Sequence, residues 1–165
     1  MTSRFHLAQL NVGRTHHPVD DPRMIGFTGR LAEINALAEA TPGYVWRLQD
    51  ESGDATGIKA FDDPLIIVNL TVWESIEQLY EFSYHTDHAE VFRGRRAWFE
   101  PWPGPSLVLW WIPARSTPTL ADALARLARL AADGPSPEAF TLKVRFPAPA
   151  VQASVGDALE ASAGT

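Results

Sequence analysis

The chain has 165 residues, 45% of them hydrophobic and 21% charged, with a formal charge of −6 at pH 7 and no cysteine. That length and composition fit one folded domain with its own core, and the acidic balance argues against a nucleic-acid partner, which would need a basic face. The missing thiols exclude disulfides, a thiolate nucleophile and cysteine-ligated zinc or iron–sulfur clusters.

The opening residues lack the apolar core of a signal peptide, and no apolar run approaches the roughly 20 residues that cross a bilayer. We therefore expect a cytoplasmic protein with no membrane partner. Phe5 to Val12, bounded by Gly13, forms a strand pattern, and Pro22 opens a helical pattern that runs to Pro42-Gly43. Tyr44 to Gln49 is a second strand, DESGDATG a polar turn, and Leu65 to Trp73 a third strand of high β-propensity. Ser75 stands as N-cap to a second helix, with Gln78 at the capping-box position. Ser106 to Ile112 is a fourth strand between prolines. The order βαββαβ predicts an α+β fold of ferredoxin-like type, an antiparallel sheet with helices on one face.

Thr119 to Ala132 adds an amphipathic helix and Ala139 to Phe146 an alternating fifth strand. Residues 1–146 thus form one domain. Residues 147–165, rich in small side chains, are expected to be a flexible tail.

Alternation in the third strand divides it into a wholly apolar set, Ile66, Val68, Leu70 and Val72, and a mixed set, Leu65, Ile67, Asn69, Thr71 and Trp73. Helices on one side would leave the other side bare, and neither set suits water. A second subunit packed sheet on sheet around a pocket would cover it, which predicts a homodimer.

Chemistry concentrates between Tyr80 and Trp111, where His85, His88, Arg93, Arg95, Arg96, Trp98, Trp102, Trp110 and Trp111 fall in one run. The strings Tyr-His-Thr-Asp-His (84–88) and Arg-Arg-Ala-Trp-Phe-Glu (95–100), together with residues 17–48, resemble a bacterial family of uncharacterised domains in the dimeric α/β-barrel superfamily, which includes antibiotic-biosynthesis monooxygenases. The resemblance spans roughly residues 5–115. It implies a ligand pocket between sheet and helices or within a dimer barrel. The superfamily includes cofactor-independent monooxygenases of aromatic polyketides, haem enzymes, muconolactone isomerases and polyketide cyclases, so fold alone selects no reaction.

His85 and His88, three residues apart, are candidate proton-transfer groups because an imidazole titrates near pH ~6.5; local hydrogen bonding or solvation is the plainer role for either. His85-Thr-Asp87 also spells half of a two-histidine, one-carboxylate iron site that would need His6, His16 or His17 as third ligand. A helical i, i+2 pair diverges, however, so no metal is expected. Arg95 and Arg96 could stabilise an enolate or bind a carboxylate, or simply pair with surface acids. Trp46, Trp73, Trp98 and Trp111 could enclose aromatic rings, with Tyr84 beside them. Asn11 and Asn69, unfavourable residues inside strands, could hold substrate oxygens.

These groups together predict a small, apolar, aromatic or polyketide-like ligand, transformed without a cofactor by His85 or His88 as a monooxygenase, isomerase or cyclase would do it. The alternatives are a non-catalytic barrel that sequesters a hydrophobic metabolite, and a haem enzyme with His85 or His88 as axial ligand.

Overall fold

The computed structural model describes residues 4–85, 89 and 93–150. Strand β1 (Phe5–Arg14) is followed by a 3-10 turn (Pro22–Met24) and helices α1 (Ile25–Thr28) and α2 (Leu31–Ala40). Strands β2 (Tyr44–Arg47) and β3 (Ile66–Trp73), helix α3 (Ile76–His85), a second 3-10 turn (Arg95–Ala97), β4 (Leu107–Pro113) and α4 (Leu120–Asp133) complete the order. The strands form one antiparallel sheet in the order β2-β3-β1-β4. With the helices after β1 and β3, this is the ferredoxin-like βαββαβ topology read from the sequence. No helix among the described residues is long and apolar enough to cross a membrane.

Local chemistry places the element ends. The Ser75 hydroxyl donates to Gln78 Oε1 at 2.9 Å and accepts from the Gln78 backbone N–H at 3.3 Å, so the expected cap starts α3. Thr119 Oγ1 accepts from Asp122 N at 3.1 Å and starts α4. The single helix expected from Pro22 is instead broken. Asp21 caps a 3-10 turn by accepting from Arg23 N, and Gly29 with Arg30 separates α1 from α2.

The sheet register decides which residues share a face. Gln9 lies opposite Thr71 and Leu109, and Asn11 opposite Asn69 and Leu107. Because side chains alternate, Leu7, Gln9, Asn11 and Gly13 share one face with Ile67, Asn69, Thr71, Trp73, Leu107, Leu109 and Trp111. We call this the mixed face. Helices α2 and α3 cover part of it: Ala38, Ile76, Leu79 and Phe82 join Leu7, Trp73, Leu109 and Phe140 in one buried cluster.

The opposite face carries Ala8, Leu10, Val12, Val68, Leu70, Val72, Val108, Trp110 and Ile112, all buried. Here the structure corrects the sequence reading. Helix α4 lies on this face through Ala123, Leu127 and Leu130, and Trp46, Leu48, Phe61 and Trp102 complete the cover. Helices therefore occupy both sides of the sheet, and the apolar face is closed within one chain. The apolar face thus needs no second subunit to cover it.

The expected fifth strand, Ala139 to Phe146, is also different. It makes isolated antiparallel bridges instead of a strand, Ala139 with Ser136 and Phe140 with Leu109, the latter through reciprocal bonds of 2.8 and 2.9 Å. The Thr141 hydroxyl then accepts from Val144 N at 3.0 Å and turns the chain. Its alternating apolar residues, Phe140, Leu142 and Phe146, serve to pack against the mixed-face cluster. Of the expected tail, residues 151–165 lie outside the described residues.

Two outcomes are expected. Leu127→Ala, in the α4 layer, should lower unfolding free energy by about 2–5 kcal/mol in urea denaturation, the usual cost of emptying a core leucine site. Native mass spectrometry should find the 18.2 kDa monomer as the main species; a stable dimer would require an interface other than the covered sheet face.

Candidate functional site

Four polar residues stand side by side in the middle of the mixed face: Gln9 and Asn11 on β1, Thr71 and Asn69 on β3. Gln9 is 3% and Thr71 6% exposed, whereas Asn11 and Asn69 are half-buried. Gln9 Nε2 donates to Asn69 Oδ1 at 3.0 Å and to Thr71 Oγ1 at 2.8 Å. Thr71 Oγ1 also accepts from Trp73 Nε1 at 2.9 Å. Asn69 thus has its oxygen occupied and its Nδ2 left to donate, directly across from the Asn11 amide. Gln9 Oε1 is buried and has no partner among the described residues. A buried acceptor left unpaired costs about 1–3 kcal/mol; His6 Nδ1, Trp110 Nε1 and Ser136 Oγ are likewise buried without a partner among the described residues, but Gln9 alone of these lies in the polar strip.

Aromatic groups bound this polar strip. At one end Trp73 is fully buried, stacked on Phe82 of α3 with centroids 5.1 Å apart and met edge-on by Tyr44 at 5.9 Å. Burial, then the nearby Glu39 charge, pushes the Tyr44 phenol up in pKa. At the other end Gly13 admits the Phe99 ring: a Cβ there would lie 2.7 Å from Phe99 Cδ1. Phe99 meets Phe27 of α1 edge-on at 5.2 Å. On the β4 side Trp111 Nε1 donates to the Phe146 carbonyl at 2.9 Å.

The structure thus brings together Asn11, Asn69, Trp73 and Trp111 on one face, as the strand parities imply. It separates others. Trp46 lies opposite Val72 and packs into the apolar cluster on the far side of the sheet. A register shift between Tyr44 and Trp46 distinguishes β2 from a regular strand there. Tyr84 is 44% exposed and pairs with Tyr80, one turn earlier, at 4.7 Å; α3 buries the positions of Ile76, Leu79 and Phe82 instead. Arg95 and Arg96 are exposed on the second 3-10 turn, where the Arg96 carbonyl meets His16 Nε2 at 3.0 Å. Trp98 is half-buried and presses on α1, where a Cβ at Gly26 would come within 2.5 Å of its ring.

His85 ends α3, but its side chain and the whole of His88 lie outside the described residues. Asp87 lies outside them too. Among the described residues no group of three or more His, Asp or Glu is placed to hold a metal ion. A groove of about 250 Å³ lined by Asp122, Ala125, Arg126, Arg129 and Glu138 lies on the outer side of the α4 layer. Its charges pair with one another, Arg126 with Asp122 at 3.3 Å and Arg129 with Glu138 at 3.7 Å, so it offers no uncommitted group.

Sequence reasoning missed Gln9 and Thr71 as members of the site. Their signal was present: Gln9 is two residues from Asn11 and Thr71 two from Asn69, so the same alternation that flagged the asparagines carries both.

Residues 6–156 match the model of a family described as a domain of unknown function, DUF3291. The chain belongs to this family. Among curated proteins none matches it significantly. Solved structures similar to this DUF3291 chain include PA3566 from Pseudomonas aeruginosa, with 13% identity and a TM-score of 0.45 over 70% of this chain and 99% of that one. Another is a point mutant of SnoaB, a cofactor-independent oxygenase from Streptomyces nogalater, with 16% identity and a TM-score of 0.43 over 68% and 95% of the two chains. A third is NE2512, a protein of unknown function from Nitrosomonas europaea, at 11% identity and a TM-score of 0.43 over 70% and 95%.

Beside the strip, Arg14 at the end of β1 joins two loops. Its Nε donates to Asp63 at 2.7 Å and its Nη1 to Glu100, which follows Phe99. The Arg14 hydrogen bond, then the Leu65 backbone N–H, holds the Asp63 carboxyl below the usual carboxylate range. A lowered folded pKa gives stability that is present above the unfolded value and lost as pH falls through the folded one. In acid titrations of Tm the wild type should therefore exceed Asp63→Asn near neutrality, and the difference should vanish once Asp63 is protonated.

Proposed function

We propose that this DUF3291 chain binds a small, largely apolar metabolite bearing oxygen substituents over the polar strip of the mixed face. The observation that carries the reading is the set of four hydrogen-bonding side chains, one with a buried unpaired oxygen, embedded in an otherwise apolar layer. Pockets of this composition orient a ligand through few polar contacts while rings supply the contact area. Asn69 Nδ2 and the Asn11 amide can hold a ligand oxygen, and Trp73, Phe82 and Phe99 supply apolar walls around the strip.

The transformation we propose is proton removal from a phenol or enol by His85 or His88, with no cofactor, as in a monooxygenase, isomerase or cyclase. His85 follows Phe82 by three residues on α3, and Phe82 stacks on Trp73 at the end of the strip. That stacking of α3 on the strip's aromatic end supports a role for the histidines that end and follow the helix. An imidazole suits the task because its pKa lies near the working pH, and an amide N–H at the developing oxyanion would lower the barrier further.

A panel of hydroxylated polycyclic ketones and phenols, followed by mass spectrometry of the products, tests this reading. His85→Ala combined with His88→Ala should reduce turnover about 100-fold or more, the scale of general acid–base catalysis, while ligand binding persists. Undiminished turnover in the double variant would remove the histidines from the mechanism. Ligand recovered unchanged from the wild type would identify a binding protein instead.

A further inference from the structure

Gln9 sits in mid-strand between Thr71 on β3 and Leu109 on β4 and is 3% exposed. Its amide nitrogen spends both hydrogens within the strip, on Asn69 Oδ1 and Thr71 Oγ1. Thr71 Oγ1 is itself anchored by Trp73 Nε1, whose ring is fixed between Tyr44 and Phe82. Within this network Gln9 Oε1 is buried and without a donor among the described residues.

We propose that Gln9 Oε1 is a specificity-determining acceptor for a hydroxyl of the ligand, which makes hydroxylated ligands, phenols or enols, the class this site selects over their ethers. The inference rests on the binding reading above and adds the donor that the ligand must carry. A buried acceptor discriminates strongly because a ligand without a donor leaves it unpaired, and the neighbouring Leu7 and Leu109 offer no substitute. The half-buried asparagines differ in this respect. Each amide presents both a donor and an acceptor, so they accommodate an ether oxygen as readily as a hydroxyl.

The probes are 2-naphthol and its methyl ether, 2-methoxynaphthalene, which share the ring system and differ in the donor. Binding to the full chain is measured by quenching of tryptophan fluorescence and by the 1H–15N signals of the Gln9 side-chain amide. The wild type should bind 2-naphthol about tenfold more tightly, the worth of one hydrogen bond, and the Gln9 signals should shift with the naphthol alone. Gln9→Leu should abolish the preference. Equal affinity of the wild type for the two probes, with equal shifts, would overturn the role of Gln9 and leave the binding reading intact. Failure of both probes to bind would overturn both readings. The amide shifts carry the test if Gln9→Leu does not fold.

Discussion

Everything in this molecule hangs on the antiparallel register of β1 between β3 and β4. The central strand has two unlike faces, one of Ala8, Leu10 and Val12, the other of Leu7, Gln9, Asn11 and Gly13, and both neighbours match it residue for residue. Apolar meets apolar on one side. On the other, amide meets amide and hydroxyl. A slip of one residue would put Gln9 and Asn11 into the apolar core and Leu10 among the polar groups, so burial of both faces specifies the register strongly. The hydrogen-bonded strip is therefore a product of the pairing that builds the sheet.

The two layers divide the work. Helix α4 and the Trp46, Phe61 and Trp102 rings seal the apolar face, whose central residues, Ala8, Leu10, Leu70, Val72, Val108 and Trp110 among them, are buried within one chain. The mixed face is covered less uniformly, with α2 and α3 packed over Leu7 and Trp73 while Asn11 and Asn69 remain half-buried. Stability and ligand contact are thus assigned to opposite sides of the same strands. A substitution in the α4 layer perturbs chemistry only through the sheet, which limits how far the two functions constrain each other.

Much of this was legible in the sequence for definite physical reasons. Period-two alternation located all four strands and separated Asn69, Thr71 and Trp73 from the apolar residues between them. Ser75 announced the start of α3 because a side-chain oxygen at the N-cap answers an otherwise unpaired N–H. What failed was information that only three dimensions hold. Nothing in the spacing of Leu120, Leu124, Leu127 and Leu130 says which side of the sheet their stripe covers, and that choice removed the argument for a second subunit. Trp46 falls on the face opposite Asn69 because the irregular pairing of β2 defeats simple alternation, and Tyr84 is exposed because a helix residue's face depends on which neighbours the sheet claims. Gln9 was overlooked although its parity with Asn11 was readable.

The bridge between Leu109 and Phe140 has a meaning for how the molecule avoids its own kind. An exposed sheet edge is a template on which another chain can add a strand. Beside β4 that template is occupied: the backbone of Leu109 is satisfied in both directions by Phe140, and the segment that follows folds over Trp111. At the opposite edge β2 is only four residues long, irregular, and ends at Arg47, which is committed to Glu39 and to the carbonyl of Gly53. Neither border offers the long, regular row of vacant amides that fibril growth requires. The segment after α4 therefore helps to guard the sheet against edge-to-edge aggregation, a role independent of any ligand.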